Sequence, residues 1–304
     1  MTLAECVQRM GEQLESAGVA FGHGTTNAFD EAAWLVLWRL GLALDGLDDQ
    51  AERTLGDSEV AAVQALVDQR IATRKPAAYL TGEAWLQGLP FFVDERCIVP
   101  RSLIAEPLTE GVLDSLMPLE PRRVLDLCTG NGNLAVLAAL AWPEASVVAT
   151  DLSGDALALA RRNFERHGLA QRIEVRQGDG LAALQASEQF DLVLCNPPYV
   201  NARSMASLPP EFRAEPALAL AGGNDGMDFV RPLLAGLAAH LAPEGALVLE
   251  IGHERAQFEA AFPALSPLWL ATSAGDDQVL MLERTQLLPD KHPKARKTRK
   301  TRNT

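Results

Sequence analysis

The chain has 304 residues, a hydrophobic fraction of 48% and a formal net charge of −13. This length and composition suit one large or two ordinary domains with a real core. No apolar run approaches the ~18 residues that a membrane span needs. The amino terminus carries Glu5 and has no basic segment before an apolar one, which predicts that there is no secretory signal. The four cysteines are scattered without C-x-x-C spacing, so we expect a reducing, cytoplasmic location and no zinc site.

The charge is unevenly distributed along the chain. Residues 291–304 contain seven basic residues and no acidic one, and removing these seven charges leaves −20 for the preceding 290 residues. Such an acidic body is a poor match for an enzyme that wraps DNA, which normally has a broad basic face. Residues 287–304 are predicted to form a basic disordered tail, because they offer little to bury. The tail could contact ribosomal RNA through its phosphates, or it could be a solubilising extension.

The amino-terminal quarter of the chain has the periodicity of helices. Apolar residues recur at helical spacing in three stretches, 3–17, 30–44 and 58–73. Asn27 or Asp30 can cap the second helix, and Asp57 or Ser58 can cap the third. We therefore predict a helical domain over residues 1–75.

Residues 76–100 change in character. Gly88 and its neighbours separate two short apolar runs, which is typical of a β-hairpin. We predict a hairpin linker over residues 76–100 and a second domain over residues 101–286.

A strand, a loop and a helix follow one another early in the second domain. The apolar strand 124–127 leads into the loop 128–133, which reads Cys-Thr-Gly-Asn-Gly-Asn, and then into an apolar helix from Leu134 to about Ala141. Glycines in such a loop let a ligand approach the backbone closely. The loop is neither a dinucleotide G-x-G-x-x-G nor a phosphate-binding G-K-[ST] loop. Asp126, at the end of the strand, would repel a pyrophosphate but could hold a cationic group such as an ammonium.

Two further acidic residues follow predicted strands. Asp151 ends the strand 146–150, where an acid is the expected partner for ribose hydroxyls in a nucleoside-binding α/β fold. Asp179 follows the strand 173–176 and is placed to reach an adenine edge.

The sequence Asn196-Pro197-Pro198-Tyr199 directly follows the apolar run 190–195. Two consecutive prolines remove two backbone N–H groups and fix φ, so a stiff corner is predicted at the end of a buried strand. The Asn196 side-chain oxygen and the Pro197 carbonyl could each accept one hydrogen of a planar NH2 group, and Tyr199 could cover its plane. The alternative is a turn that merely ends the strand.

The order of these motifs resembles the class I S-adenosylmethionine-dependent methyltransferases, and Asn-Pro-Pro-Tyr resembles the branch that methylates planar amino groups. The resemblance implies an α/β, Rossmann-like fold with a mostly parallel sheet, S-adenosylmethionine as cofactor and no metal. The residues it assigns to cofactor binding are Asp126, Cys128, Thr129, Gly130, Gly132, Asp151, Leu152, Asp179, Gly180 and Asn196.

A helical domain, a hairpin and then this catalytic domain together resemble the protein glutamine methyltransferase family, whose bacterial arms act on release factors or on a large-subunit ribosomal protein. The segment 99–106 reads V-P-R-S-L-I-A-E, which is similar to the ribosomal-protein arm rather than to the P-R-P-E-T-E of the release-factor arm. The loop departs from the family in having Asn131 and Asn133 where Ser and Cys are common. The resemblance implies that the substrate is a glutamine of a large-subunit ribosomal protein and that residues 1–75 recognise it.

Within this family we expect three catalytic residues, Asn196, Pro197 and Tyr199. Substrate contacts are expected from the same residues together with Pro198, Arg101 and Glu106, although the last two could instead form structural salt bridges. Two other classes stay open. A DNA or RNA amino-methyltransferase must flip its base, and the acidic body and the lack of an inserted recognition domain count against it. A non-catalytic ribosome-assembly factor is opposed by the intact motif residues.

Overall fold

A computed structural model of the protein describes residues 1–288. The predicted contact between the basic tail and RNA involves residues outside this range. The tail was predicted to begin at residue 287, but a short helix continues through Leu287. No helix within residues 1–288 is long and apolar enough to cross a membrane.

Five helices occupy the region predicted to be helical and its junction with the hairpin: α1 (Leu3–Ser16), α2 (Ala28–Arg39), α3 (Leu47–Gln50), α4 (Asp57–Thr73) and α5 (Ala77–Thr81). Asn27 caps α2, since its side chain accepts a hydrogen bond from the backbone N–H of Asp30. The prediction that α2 continues to residue 44 is wrong, because the chain turns at Gly41 with a φ of 66°. The predicted cap of α4 is also wrong. Gly56 holds that position, and its N–H donates to the Glu59 carboxylate.

The amino-terminal helices pack around an apolar core of their own, which includes Leu3, Met10, Leu35 and Val67. The hairpin follows as β1 (Glu83–Leu86) and β2 (Leu89–Phe92), paired antiparallel with Trp85 opposite Pro90.

The remaining elements alternate between helices and strands: α6 (Ala105–Thr109), α7 (Val112–Leu116), β3 (Arg123–Leu127), α8 (Asn133–Ala141), β4 (Ser146–Asp151), α9 (Gly154–Arg166), β5 (Ile173–Gln177), β6 (Phe190–Cys195), α10 (Ala202–Ser207), α11 (Pro210–Arg213), α12 (Val230–Gly236), β7 (Leu241–Glu250), α13 (Arg255–Ala261), β8 (Leu268–Thr272), β9 (Gly275–Glu283) and α14 (Arg284–Leu287). Three 3-10 helices lie between them, at Gly180–Ala183, Ala217–Ala219 and Leu237–His240.

The strands β3 to β9 form one seven-stranded sheet in the order β5-β4-β3-β6-β7-β9-β8. The first five strands in this order pair in parallel, and β9 pairs antiparallel with both β7 and β8. The predicted α/β class with a mostly parallel sheet is therefore confirmed. The chain runs outward from β3 through β4 to β5 and then resumes with β6 on the other side of β3. A ligand crevice is expected at such a switch point, beyond the carboxyl ends of the strands.

Apolar layers cover both faces of this sheet. One contains Trp142 and Phe164 beside α8 and α9, and the other contains Phe190 and Phe258. Strands buried on both faces explain the continuous apolar runs of β3 and β6 in the sequence. Because the two layers fix the strand positions, the residues at the strand ends are held in defined places.

Candidate active site

A cavity of about 380 Å³ lies beyond the carboxyl ends of β3, β4, β5 and β6, and we call it the strand-end cavity. Seven of the ten residues that the sequence assigned to cofactor binding line it, together with Pro198: Cys128, Gly130, Asp151, Leu152, Asp179, Gly180 and Asn196. The rule that ligands bind outside strand ends thus places most of these residues around one space.

Asp151 connects β4 to the loop after β3. Its carboxylate accepts the N–H of Gly130 at 2.9 Å and the N–H of Ser153 at 2.8 Å, one on each oxygen. Burial raises the pKa of Asp151 although these backbone donors favour the ionised form. A carboxylate oxygen can accept more than one hydrogen bond, so Asp151 keeps acceptor capacity toward the cavity.

Apolar side chains form another part of the strand-end cavity. Leu152 is 47% exposed and Leu218 is 57% exposed, and Phe229 lines the cavity beside Gly180. A Cβ added at Gly130 would meet no atom within 4 Å, so its backbone faces open space. A flat apolar group can therefore enter this cavity with polar groups at its edges.

The other three residues assigned to cofactor binding, Asp126, Thr129 and Gly132, do not line the strand-end cavity, and their part in binding stays a prediction. Asp126 is 1% exposed, and one of its oxygens accepts the Thr129 hydroxyl at 2.5 Å and the Ala135 N–H at 2.9 Å. Thr129 is also buried. A Cβ at Gly132 would come within 2.4 Å of the Phe164 ring, so this glycine permits close packing of α8 on α9. These contacts shape the loop. The second carboxylate oxygen of Asp126 has no hydrogen-bond partner among the described residues, and its contact with an ammonium stays a prediction.

A second cavity of about 250 Å³ adjoins the first, and we call it the Tyr199 cavity. The two share three lining residues, Ile98, Asn196 and Ala219. Pro198 faces the strand-end cavity, whereas Pro197 and Tyr199 line the Tyr199 cavity. The Asn-Pro-Pro-Tyr segment is therefore the partition between the two spaces.

Two hydrogen-bond acceptors on this partition are free. Neither the side chain of Asn196 nor the carbonyl of Pro197 has a hydrogen-bond partner within residues 1–288. Prolines at 197 and 198 supply no N–H that could occupy these acceptors locally. The geometry thus offers two neighbouring acceptors to an incoming NH2 group.

Tyr199 is held from several sides. Its hydroxyl donates to the Glu250 carboxylate at 3.1 Å, and Glu250 also accepts the Ser102 hydroxyl at 2.7 Å and the Leu103 N–H at 2.9 Å. Burial raises the pKa of both Tyr199 and Glu250. A Cβ at Gly252 would come within 2.5 Å of the Tyr199 ring, so the chain passes closely against that ring. The ring orientation is therefore fixed before any ligand binds.

Arg101 forms a buried ion pair. Its guanidinium donates to both oxygens of Glu215, at 2.5 Å and 2.7 Å, and Val99 N–H donates to the same carboxylate at 2.8 Å. Burial disfavours the Glu215 carboxylate, but the charge of Arg101 outweighs it, with help from His23, and lowers the Glu215 pKa to about 2. Arg101 lines the Tyr199 cavity as well, so it is both a structural ion-pair partner and a wall residue.

Glu106 does not lie at the site, contrary to the expected substrate contact. Its carboxylate accepts the N–H and the hydroxyl of Ser273, both at 2.6 Å, in the turn between β8 and β9. It lines neither the strand-end cavity nor the Tyr199 cavity. The alternative of a structural contact fits Glu106 better.

Sequence reasoning missed three acidic residues of the site. Glu250 ends β7, and the rule that found Asp151 could have found it. Glu254 lines the Tyr199 cavity, is 6% exposed, and has one buried oxygen without a partner among the described residues. Glu215 had no local signal, because its partner Arg101 lies 114 positions away. Within residues 1–288, no group of three or more His, Cys, Asp or Glu side chains is arranged to hold a metal ion.

The strand order and the site at the switch point define a class I methyltransferase, and residues 108–221 match the methyltransferase small domain family. Three curated relatives narrow the assignment from this class to one family. A ribosomal protein uL3 glutamine methyltransferase of Bordetella pertussis is 53% identical, covering 94% of this chain and 96% of the relative. A relative of the same name from Burkholderia pseudomallei is 48% identical, and the match covers 94% of this chain and 95% of the relative. Another from Bradyrhizobium diazoefficiens is 45% identical, and the match covers 94% of this chain and 92% of the relative. The chain belongs to the ribosomal protein uL3 glutamine methyltransferase family, which confirms the resemblance drawn from the segment 99–106.

Proposed function

We propose that this protein transfers a methyl group from S-adenosylmethionine to the side-chain amide nitrogen of a glutamine in ribosomal protein uL3. The observation that carries the proposal is the pair of free acceptors, Asn196 and Pro197, on the partition between the strand-end cavity and the Tyr199 cavity. A cofactor in the first cavity and a glutamine in the second would meet at Asn196. A cytoplasmic location belongs to the same proposal, because the substrate is a ribosomal protein.

The strand-end cavity fits S-adenosylmethionine. Asp151 would accept the ribose hydroxyls, Leu152 and Phe229 would cover the adenine, and Asp179 would contact the adenine edge. Gly130 brings open backbone to the same space, and Gly180 lines it beside the Phe229 ring. When bound, the cofactor supplies an electrophilic methyl group on a sulfonium.

Asn196 and Pro197 would prepare the amide nitrogen. An amide nitrogen is a poor nucleophile, because its lone pair is delocalised into the carbonyl. If the Asn196 Oδ1 atom and the Pro197 carbonyl each accept one N–H, the nitrogen is fixed and that delocalisation is opposed. Positioning of this kind supplies up to roughly 7–11 kcal/mol of a barrier when the geometry is near-ideal.

The charge of the Tyr199 cavity suits the same reaction. The attacking nitrogen would become positive as its bond to the methyl forms and the methyl–sulfur bond breaks, and it would then lose one of its two N–H protons. Oriented acceptors stabilise the positive charge until that proton leaves. Glu254 adds a carboxylate oxygen without a partner among the described residues, in the wall of the cavity that would hold this nitrogen. Tyr199, fixed by Glu250, would cover the amide plane.

Methyl transfer from labelled S-adenosylmethionine into three competitors tests the proposal: ribosomal protein uL3, a release factor and duplex DNA. Each protein is assayed with and without its candidate glutamine changed to alanine. We expect glutamine-dependent label in uL3 alone. Label in the release factor would indicate that the protein acts as a member of the release-factor arm of the family. Label in DNA would contradict the proposal that the substrate is a protein.

A further inference from the structure

A third concave surface lies outside the site, between α2, the loop that follows it and the β-hairpin. Its volume is about 940 Å³, and three tryptophans line it, Trp34 and Trp38 from α2 and Trp85 from β1. The loop 41–45 and Gly24-Thr25 complete the wall. We call this surface the tryptophan groove. A groove with this many indole rings is unusual for a surface that only faces water, since tryptophan is enriched where proteins bind partners.

The polar groups of the groove include one hydrogen-bond donor without a partner. The indole N–H of Trp34 is buried and donates to no acceptor among the described residues, so a carbonyl that reached it would satisfy a donor that now has no partner. Trp85 is 43% exposed, and its N–H donates to Glu83 at 3.2 Å. The groove therefore offers one unsatisfied donor and exposed aromatic faces.

The charge of the groove is negative. Asp45 and Glu83 line it, and no lysine or arginine does so within the described residues. Glu83 is already paired with Arg166 at 2.5 Å, whereas Asp45 is exposed and continues into the exposed acids Asp48 and Asp49 at the start of α3. Aromatic faces with nearby carboxylates favour lysine and arginine side chains, through cation–π contacts and ion pairs.

The groove lies close to the Tyr199 cavity. A single loop, 22–25, separates them, because His23 packs on Phe212 with ring centroids 4.1 Å apart and Phe212 lines the Tyr199 cavity. The next residue, Gly24, lines the groove and packs against the Trp34 ring. The loop 22–25 thus lies between the two spaces, and a polypeptide that occupied both would cross it.

We propose that the tryptophan groove binds an extended, basic segment of the ribosomal protein that flanks the target glutamine. The inference rests on the proposed function, which supplies the partner. A protein that binds ribosomal RNA through its phosphates is rich in lysine and arginine, and this enzyme carries a formal net charge of −13. Basic side chains of the segment lie on the indole faces beside Asp45, and a backbone carbonyl accepts the Trp34 N–H.

The test uses the full-length enzyme with two variants, Trp85→Ala and Asp45→Lys, both at exposed positions outside the catalytic site. Asp276→Lys is the matched control, since it makes the same charge change at an exposed position in β9 that does not line the groove. Two acceptors are compared, the intact ribosomal protein and a short peptide that contains only the glutamine and its nearest neighbours.

We expect each groove variant to raise the KM for the intact protein about tenfold, as loss of a cation–π or ion-pair contact at an interface does. The kcat, the KM for the short peptide and the affinity for cofactor stay at the values of the unmodified enzyme. The Asp45→Lys effect shrinks at high salt, because screening weakens exposed charges. Asp276→Lys changes neither KM by more than about twofold.

A KM for the intact protein that stays within twofold in both groove variants would overturn the groove proposal and leave the proposed function standing. An equal loss with the short peptide would also overturn it, because the variants would then act on the site itself. Calorimetric binding of the ribosomal protein separates the two ideas further. Binding that depends on Trp85 and Asp45 without any methyl transfer would support the groove and reject the function.

Discussion

The strand-end cavity and the Tyr199 cavity share a wall at Asn196, but different parts of the chain build them. Most polar residues of the strand-end cavity lie in loops at the ends of adjacent sheet strands and follow a local strand signal, although Arg96 and residues 216–219 also line it. The Tyr199 cavity depends on distant pairs, such as Arg101 with Glu215 and Ser102 with Glu250, which are 114 and 148 positions apart. The space proposed for the cofactor is therefore built largely from local motifs, and the space proposed for the substrate depends on tertiary contacts.

The buried carboxylates of the two regions show the same contrast. Asp126 lies beneath the strand-end cavity with only a hydroxyl and a backbone N–H as donors, and burial raises its pKa to about 7. Burial also disfavours the Glu215 carboxylate, but Arg101 outweighs this and lowers its pKa to about 2. An isolated buried acid and a paired buried acid thus respond to pH in opposite directions.

The largest effect is expected at the shared wall. Asn196→Ala should lower turnover about 10³-fold or more, since it removes one oriented acceptor and the positioning that depends on it. Cofactor affinity should change little, because Asp151 and the apolar lining remain. Radiolabel transfer and calorimetric titration with cofactor measure the two effects. Turnover within tenfold of the unmodified enzyme would remove Asn196 from its catalytic role.

The next largest effect belongs to the strand-end cavity alone. Asp151→Ala should weaken cofactor binding about 100-fold, or ~2.7 kcal/mol, since it removes a charged acceptor and two hydrogen bonds that hold the loop. At saturating cofactor, the KM for the ribosomal protein should be unchanged. Asp155→Ala, on the first turn of α9, is a control that lines neither cavity. A cofactor Kd that is unaltered in Asp151→Ala would show that the loop binds ligand without this acid.

The contrast between the cavities also explains what the sequence could predict. Asp151, Asp179 and the Asn-Pro-Pro-Tyr segment lie at or just after the ends of parallel strands, and parallel strands bring their carboxyl ends to one edge, so their convergence needed only the strand pattern. The position of Glu106 could not be predicted in this way. Its bond to Ser273 joins residues 167 positions apart, and nothing local distinguishes it from a substrate contact.

The glycines and acids in and beside the loop after β3 show a second limit of prediction from the sequence. Gly130 and Gly132 look alike in the sequence, and both have positive φ, but one faces open cavity and the other packs against Phe164. Asp126 and Asp151 both end strands, but only Asp151 lines the cavity. Which of two similar residues faces a ligand depends on the helix that packs behind the loop, and periodicity does not specify that packing.

A smaller effect on activity is expected from the ion pair of the Tyr199 cavity. Glu215→Gln should raise the KM for the ribosomal protein about tenfold and lower the free energy of unfolding by about 2 kcal/mol, because the half-buried Arg101 would lose its partner charge and a charge-assisted hydrogen bond. Cofactor affinity should fall less than substrate affinity. Glu106→Gln makes the same chemical change at the Ser273 contact, away from both cavities, and should leave both KM values within twofold.

Steady-state kinetics with each substrate varied in turn, together with urea unfolding, give these quantities. Recovery of the KM in an Arg101→Met, Glu215→Met double variant would indicate that packing alone shapes the cavity. A Glu215→Gln enzyme with an unchanged KM would show that the buried pair acts only on stability, and the proposed dependence of the substrate site on tertiary contacts would lose its main support.

Counted per pH unit, the response of stability to pH is the smallest of these effects. It has opposite signs in the two regions. Asp126 has a folded pKa of about 7, against about 3.9 when unfolded. Between these values the folded state binds more protons, so the contribution of Asp126 to stability falls as pH rises, by about 1.4 kcal/mol per unit. Glu215 has a folded pKa of about 2, against about 4.3 unfolded, so its contribution is present above pH 4 and is lost as pH falls toward 2.

The two windows overlap only between about pH 3.9 and about pH 4.3, which lets each acid be measured separately. The difference in unfolding free energy between the unmodified protein and Asp126→Asn should fall from pH 4 to pH 7 and then stay constant, because asparagine keeps an acceptor for Thr129 and Ala135 but cannot ionise. The difference for Glu215→Gln should rise from pH 2 to pH 4 and be constant above. A flat Asp126→Asn difference between pH 4 and pH 7 would mean that Asp126 ionises normally beneath the loop. The contrast between an isolated acid under the strand-end cavity and a paired acid beside the Tyr199 cavity would then reduce to the Arg101 pair alone.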